Sequence, residues 1–213
     1  MSSNDGIVEA IVDLDEQAAL KMAEELRSAG VDPVMILERF RAGMSIVGEK
    51  FEKGEFFLSE MIMAAEIFSQ VMESIRPHLK RTRAETIGKI VIGTVQGDVH
   101  DIGKNIVIAL LEAEGFDVID LGVDVPTQRF VEAIREYEPD IVGMSSLLTV
   151  AIESTKNTVD AITEACLRDK VKIVVGGGRM DQHASDYIRP DAFTDNAAKG
   201  VRLCKELLGG KIV

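Results

Sequence analysis

Residues 91–105 read VIGTVQGDVHDIGKN, and the fold is inferred outward from this stretch. An apolar run of the kind that forms a buried strand ends at Gly97, and a helical pattern resumes a few residues later. The intervening loop carries Asp98, His100 and Asp101, although the whole chain has only 3 histidines. Strand, short polar loop and helix predict the first unit of a parallel sheet, with its reactive side chains in the loop.

The rest of the C-terminal part repeats this alternation of short apolar runs and amphipathic segments. The runs are KIVIGTV, FDVIDLG, DIVGMSSL, KIVVGGG and DAFTD. They predict an α/β domain with a doubly wound, five-stranded parallel sheet of the flavodoxin-like or Rossmann-like type. Ligands of such sheets bind beyond the carboxyl ends of the strands, where the loops at 97–103, 122–126, 145–149 and 176–178 fall.

The N-terminal part has helical periodicity instead. A glycine suited to a left-handed helix end stands at Gly30, and Asp32-Pro33 is typical of a helix start. Apolar residues from Leu58 to Met72 recur at helical spacing, and Arg76-Pro77 predicts the end of that helix. We therefore predict a four-helix bundle over residues 1–83, followed by the α/β domain over residues 84–213.

Composition limits the classes of partner. The 213 residues are 46% hydrophobic, and 36 acidic against 24 basic residues give a formal net charge of -12, which disfavours nucleic acid and acidic membranes. No segment approaches the roughly 20 apolar residues of a membrane span. We expect a cytoplasmic protein with no nucleic-acid or membrane partner, in which Cys166 and Cys204 are buried thiols.

The loop GDVHDIG admits several interpretations. A dinucleotide site favours GxGxxG at this turn, whereas here carboxylates stand where a phosphate would bind. GDVH also resembles the opening of binuclear metallophosphoesterases, but these need further histidines and only His183 follows. In a third interpretation, His100 caps or packs locally, with Asp98 as its hydrogen-bond partner.

Three separated elements favour another interpretation: DVHDIG at 98–103, SSL at 145–147 and GG at 176–177. They resemble the cobalamin-binding signature DxHxxG, SxL and GG, with 41 residues between the first two elements and 28 between the last two. The segment GEKFEKGEFFLSEMIMAAE, residues 48–66, is similar to the helical cap that precedes the corrinoid domain in methionine synthase and in small corrinoid proteins of methyltransferase systems. The resemblance thus covers the whole chain and identifies residues 1–83 as a cap domain and 84–213 as a cobalamin-binding domain.

The resemblance implies a cobalt site. In this family the corrinoid gives up its own benzimidazole ligand, the base-off/His-on state, and His100 would bind cobalt from below. Asp98 would orient the imidazole through its other nitrogen, so these two are the expected catalytic residues. The implied corrinoid contacts are Gly97, Asp98, Val99, His100, Asp101, Ile102, Gly103, Ser145, Leu147, Thr149, Gly176 and Gly177.

The helical segment would protect the other face of the cofactor. Phe51 and Leu58 match apolar residues that shield the upper cobalt face in the methionine synthase cap, where a methyl group must be kept from water and Co(I) from oxidants. Apolar residues at helical spacing are also ordinary core residues, so both interpretations stay open.

The chain departs from the methionine synthase pattern at two places. A serine that extends the His-Asp pair there corresponds to Ala151 here, which predicts a shortened relay. GGGRMDQHA replaces the usual small-residue stretch after the double glycine, so Arg179 and His183 are candidates for a rim specific to this protein.

The residues provide a cofactor site but no pair that would activate a methyl donor. The resemblance therefore implies a methyl carrier, the corrinoid subunit of a multi-component methyltransferase, alternating between methylcobalamin and Co(I) cobalamin. Its expected partners are a substrate-specific methyltransferase, a second methyltransferase acting on tetrahydrofolate or coenzyme M, and a reductive activase. Donors in the family include methanol, methylamines, betaines and aryl methyl ethers.

Two other classes share the signature. An adenosylcobalamin sensor would hold its cofactor under a tryptophan-containing cap and couple light to DNA binding, but this chain has no tryptophan. A corrinoid subunit of an adenosylcobalamin mutase commonly lacks the cap, which GEKFEKGEFFLSE resembles. The upper ligand distinguishes the classes, since a methyl group indicates the carrier.

Overall fold

A computed structural model of the chain describes residues 5–78 and 86–209. The chain forms two compact units, one helical and one α/β. The predicted domain boundary at residues 83 and 84 lies outside the described residues. Within residues 5–78 the helical unit contains α1 (Asp5–Val12), α2 (Glu16–Ser28), α3 (Pro33–Glu52), α4 (Leu58–Ile75) and a 3-10 helix (Arg76–His78).

The helix boundaries follow the capping residues in the sequence. Gly30 has φ +76 just after α2, and the Asp32 side chain accepts a 2.9 Å hydrogen bond from the Val34 amide at the start of α3. Pro33 occupies the first position of α3, where no amide donor is needed. The predicted end of α2 and start of α3 are therefore confirmed.

One buried face of each helix builds the core of the helical unit. Phe40 and Met44 of α3 and Met61 and Phe68 of α4 are fully buried. Helices α1 and α3 approach closely at Gly43. A Cβ added there would lie 2.0 Å from the Ile11 side chain, so this approach requires glycine. Of the predicted apolar face of α4, Met61, Ala65, Phe68 and Met72 are buried. Leu58 in the first turn is 56% exposed, and Ile62 is also exposed.

The described part of the α/β unit is a five-stranded parallel sheet with intervening helices, as predicted. Its elements are β1 (Lys89–Thr94), α5 (Ile102–Ala113), β2 (Asp117–Asp120), α6 (Thr127–Tyr137), β3 (Ile141–Ser145), α7 (Ala151–Glu164), β4 (Lys172–Gly176), α8 (Gln182–Ile188), β5 (Ala192–Thr194) and α9 (Ala197–Leu207). The strand order is β2-β1-β3-β4-β5, so the switch point lies between β1 and β3.

The two faces of the sheet differ near its carboxyl edge. On one face, Val142 and Met144 of β3 belong to a large buried cluster with side chains of α6, α7 and α8. Side chains alternate along a strand, so Ser145 points to the opposite face. Parallel pairing places four small residues side by side across that face: Thr94, Ser145, Gly176 and Thr194.

The two cysteines differ in exposure. Cys204 in α9 is buried, as expected, and burial raises the pKa of its thiol to about 12. The expectation for Cys166 is wrong, since this residue is exposed. It follows α7 in a turn with φ +57, which takes its side chain off the apolar face of the helix. Within the described ranges, every helix is too short or too polar to span a bilayer.

Candidate functional site

The loop between β1 and α5 holds a histidine against a buried carboxylate. His100 Nδ1 lies 2.7 Å from Asp98 Oδ1, and the backbone amide of His100 donates to the same oxygen at 3.0 Å. The imidazole is half exposed, whereas the Asp98 side chain is completely buried. Since Nδ1 is engaged by the carboxylate, Nε2 is the nitrogen available to a metal.

The other oxygen of Asp98 reaches across the switch point. Asp98 Oδ2 accepts hydrogen bonds from the backbone amides of Leu147 at 2.7 Å and Leu148 at 3.1 Å. Burial raises the pKa of Asp98, but these amides, the His100 amide and the His100 ring more than offset it and lower the pKa to about 2. Asp98 is therefore a fixed carboxylate that links the loops after β1 and β3.

The backbone around His100 is held by two further residues. The buried Thr94 hydroxyl donates to the His100 carbonyl at 3.1 Å. Asp124, in the loop between β2 and α6, accepts a 2.7 Å hydrogen bond from the Gly97 amide through Oδ1 and donates its own amide to the Asp98 carbonyl at 2.9 Å. Sequence inspection missed both residues; an aspartate two positions before Pro126 was the signal that could have drawn attention to Asp124.

The structure brings the three signature elements to one edge of the sheet. Asp98 joins the first element to Leu147 in the second, and Ser145 pairs with Gly176 of the third in the β3–β4 register. Elements far apart in sequence thus meet at the carboxyl ends of three adjacent strands.

The glycines at this edge of the sheet differ in whether the surrounding protein would accommodate a side chain. Gly177 has φ +149, and a Cβ there would lie 1.8 Å from the Ser146 carbonyl oxygen, so backbone packing alone requires glycine. A Cβ at Gly103 would meet nothing within 4 Å, and one at Gly176 only the Thr194 oxygen at 3.7 Å. The described residues do not require glycine at 103 or 176, which fits a ligand that approaches the backbone there.

Exposed apolar side chains occur on the elements that carry the histidine and its carboxylate partner. Val99 on the loop after β1, Ile102 at the start of α5 and Leu147, whose amide contacts Asp98, are exposed. Thr149 is also exposed, and Ala151, where a serine was expected to extend the relay, is buried at the start of α7. An exposed apolar collar around a polar centre suits a large, mostly apolar ligand.

The remaining predicted residues lie outside this centre. The Asp101 carbonyl accepts a 2.8 Å hydrogen bond from the Asn105 amide, and Asp101 Oδ2 accepts one from the Asn105 side chain at 3.3 Å, so its contacts are local to the start of α5. Arg179 is exposed in the stretch between β4 and α8, and His183 is exposed in the first turn of α8. Phe51 is half-buried near the end of α3, and Leu58 is exposed at the start of α4, both in the helical unit.

A buried cation lies beside the first loop. Lys104 Nζ, in the first turn of α5, is 2.6 Å from Asp120 Oδ2 at the end of β2 and 2.9 Å from Asn105 Oδ1. This ion pair ties α5 to the loop that carries Asp124.

Among residues 5–78 and 86–209, no group of three or more His, Cys, Asp or Glu side chains could hold a metal ion.

Family models match both the helical and the α/β part of the chain. B12 binding domain models match residues 88–198 and, for a second such model, residues 4–76. Trimethylamine corrinoid protein 1 of Methanosarcina acetivorans is 40% identical over 98% of this chain and 100% of its own.

Two solved structures are similar over nearly the whole chain. A cobalamin-binding protein from Desulfitobacterium hafniense DCB-2 is 38% identical with a TM-score of 0.72, over 98% of this chain and 100% of that chain. A chain in the methanol:cobalamin methyltransferase complex from Methanosarcina barkeri is 28% identical with a TM-score of 0.83, over 98% of this chain and 80% of that one.

Proposed function

This chain belongs to the family of B12-binding corrinoid proteins, and from that premise we propose that it carries a methyl group on the cobalt of a bound corrinoid between two methyltransferases. The observation that carries the proposal is the pairing of His100 Nδ1 with the buried Asp98 carboxylate, which leaves Nε2 as a ligand atom on a half-exposed ring. One imidazole nitrogen suits a cobalt whose other ligands come from a corrin ring.

The residues at the carboxyl edge fit a corrinoid. Nε2 of His100 would bind the lower face of cobalt in the base-off/His-on form, and Asp98 would keep the proton on Nδ1 so that Nε2 stays free. The row of small residues at Ser145 and Gly176, with open space at Gly103, would admit the displaced nucleotide tail along the sheet. The exposed collar of Val99, Ile102 and Leu147, together with Gly97, Asp101, Thr149 and Gly177, would border the corrin and the tail.

When bound, the corrinoid supplies a cobalt that accepts a methyl group as Co(I) and releases it to an acceptor. The chain's own residues bind and orient this group. Asp98 retains its negative charge when His100 is released, because four hydrogen-bond donors stabilise the carboxylate. We assign Phe51 and Leu58 to shielding the upper face, since partly or largely exposed apolar side chains at helix ends are suited to a contact that forms and breaks.

One relative supports a choice of methyl donor. We propose a methylamine as the methyl source, through a methylamine-specific methyltransferase, because trimethylamine corrinoid protein 1 is 40% identical to this chain. A second methyltransferase would pass the methyl group to tetrahydrofolate or coenzyme M, and a reductive activase would restore Co(I). Such low-valent cobalt requires a reducing compartment, and we therefore propose a cytoplasmic location.

The test is methyl transfer onto the reconstituted protein. The protein would be loaded with hydroxocobalamin, reduced to Co(I) and mixed with a trimethylamine methyltransferase and trimethylamine, and the methyl-cobalt spectrum would be recorded. We expect near-stoichiometric methylation that requires both enzyme and amine. Methylation only with methanol and its methyltransferase would overturn the choice of donor. Tight corrinoid binding without methylation by any partner methyltransferase would overturn the carrier function.

A further inference from the structure

Asp124 adopts a backbone conformation that its residue type seldom takes. Its φ is +50, in the left-handed region where a side chain costs free energy and where Asn, Asp and Gly are most tolerated. The side chain is exposed, so burial of the carboxylate does not account for an aspartate here. Strain of this kind persists when surrounding contacts hold it, and it is common near functional sites.

The contacts that hold Asp124 all go to the loop that carries His100. Its Oδ1 accepts a 2.7 Å hydrogen bond from the Gly97 amide, and its amide donates to the Asp98 carbonyl at 2.9 Å. Asp124 therefore makes hydrogen bonds to both residues of the Gly97–Asp98 segment. Gly97 is itself left-handed, with φ +84, and its amide is fixed by the Asp124 carboxylate. The Asp98 backbone is also held by its own amide, which donates to the Val95 carbonyl at 3.1 Å.

Asp124 is linked to the imidazole of His100 through one residue, Asp98. Asp98, fixed through its backbone by Asp124, holds His100 Nδ1 through Oδ1 at 2.7 Å. A shift of the Asp98 backbone would move the carboxylate and turn the imidazole with it. Ligand positions at a metal must be held within fractions of an ångström, and residues behind the ligand supply that precision.

We propose that Asp124 is a positioning residue for the cobalt ligand, which sets the orientation of His100 through Asp98. The proposal rests on the proposed function, because it assumes that His100 binds cobalt. Asp124 acts through its carboxylate oxygen and through its left-handed backbone, and the two contributions can be separated by substitution.

Two variants and one control isolate the contribution of the carboxylate, with the left-handed backbone kept. Asp124→Gly keeps the backbone conformation and the amide donor but removes the acceptor for Gly97. Asp124→Asn keeps an Oδ1 acceptor and tolerates the left-handed region. Glu138→Gly is the matched control, since Glu138 is also exposed and left-handed, with φ +47, but caps the end of α6.

The measurement is the electron paramagnetic resonance spectrum of each variant loaded with hydroxocobalamin and reduced to Co(II) at one fixed pH. A nitrogen ligand splits the cobalt lines, and nitrogen-15 in the protein's histidines gives a splitting that differs from that of the corrinoid's own benzimidazole nitrogen. With labelled protein, the spectrum therefore reports the ratio of His-bound to His-free cobalt. We expect Asp124→Gly to lower this ratio about tenfold, with Asp124→Asn restoring most of it and Glu138→Gly matching wild type. Thermal unfolding of the corrinoid-free variants shows whether the fold is intact.

Each alternative result has a defined meaning. An unchanged ratio in Asp124→Gly, while His100→Ala loses the nitrogen splitting, would overturn the role of Asp124 and leave the cobalt site standing. Equal losses in Asp124→Gly and Glu138→Gly would also overturn it, since they would indicate general loosening. Nitrogen-15 splitting that survives in labelled His100→Ala would show that His100 is not the cobalt ligand and would overturn the proposed function itself.

Discussion

Asp98 Oδ2 accepts a 2.7 Å hydrogen bond from the amide of Leu147, which lies 49 residues further along the chain. Because the other oxygen of the same carboxylate holds His100, the first two signature elements form one hydrogen-bonded unit across the switch point of the sheet. A change in the loop after β3 is therefore expected to reach the imidazole without touching it.

Asp98→Asn is expected to destabilise the protein at neutral pH. The amide group would face the His100 amide and ring with a donor in place of an acceptor, and the unfolding free energy should fall by about 1 to 2 kcal/mol at pH 7. The pKa of Asp98 is about 2 in the folded chain, below its usual value of about 4. The carboxylate thus contributes stability above pH ~4 that is lost as the pH falls through about 2, and the difference between the two proteins should shrink over that range.

Urea unfolding of corrinoid-free wild type and Asp98→Asn at pH 7 and pH 3 measures this effect. Asp101→Asn is the matched control, because Asp101 makes its contacts at the start of α5. A stability difference that stays constant between the two pH values would contradict the assigned role of the carboxylate.

Gly103→Ala and Gly177→Ala are expected to have different effects on the stability of the corrinoid-free protein. A Cβ at Gly103 meets nothing within 4 Å, so the corrinoid-free variant should be as stable as wild type or gain up to about 1 kcal/mol from helix propensity. A Cβ at Gly177 would overlap the Ser146 oxygen, and this variant should lose roughly 3 kcal/mol or more.

Corrinoid binding separates the two positions further. If a corrinoid approaches Gly103, its affinity for Gly103→Ala should fall at least about tenfold despite the intact fold. Thermal unfolding and equilibrium binding of hydroxocobalamin provide the two readouts. Wild-type affinity in Gly103→Ala would show that the open space at this glycine is not used by the ligand.

The neighbouring serines at the end of β3 are a second matched pair. Ser145 lies in the row of small residues on the proposed tail face, whereas the buried Ser146 hydroxyl has no hydrogen-bond partner among the described residues. Ser146→Ala should change the unfolding free energy by less than about 0.5 kcal/mol and leave corrinoid affinity intact, because no hydrogen bond is lost.

Ser145→Ala should instead weaken corrinoid retention during desalting while the corrinoid-free fold stays unchanged. Absorbance of the retained corrinoid per chain measures this effect in both variants. The opposite ranking, with Ser146→Ala the weaker binder, would place the tail on the other face of the sheet.

Local patterns were sufficient to predict most of the fold. Alternating apolar runs indicated the five strands, and Gly30, Asp32 and Pro33 marked helix ends, because backbone conformation and capping at these points are properties of single residues. Cys166 shows the limit of such patterns, since a turn after α7 removed it from the face on which it was expected.

Only the site residues that belong to sequence motifs could be predicted. His100, Asp98, Ser145 and Gly176 stand in recognisable elements, and the parallel sheet brings their strand ends together. The role of Asp124 depends on a long-range contact with Gly97, 27 residues away, and on a strained backbone angle, and the aspartate before Pro126 predicts neither of them by itself. Physical contacts across loops therefore remained to be found in the structure.

The most direct test of the central claim is corrinoid retention and axial ligation in wild type, His100→Ala and the exposed-histidine control His183→Ala. Each protein would be incubated with hydroxocobalamin, desalted and examined by visible spectroscopy. We predict near-stoichiometric, histidine-ligated corrinoid in wild type and His183→Ala, and loss of the histidine-ligated spectrum in His100→Ala. Failure of wild type to retain corrinoid, or a histidine-ligated spectrum in His100→Ala, would contradict the account.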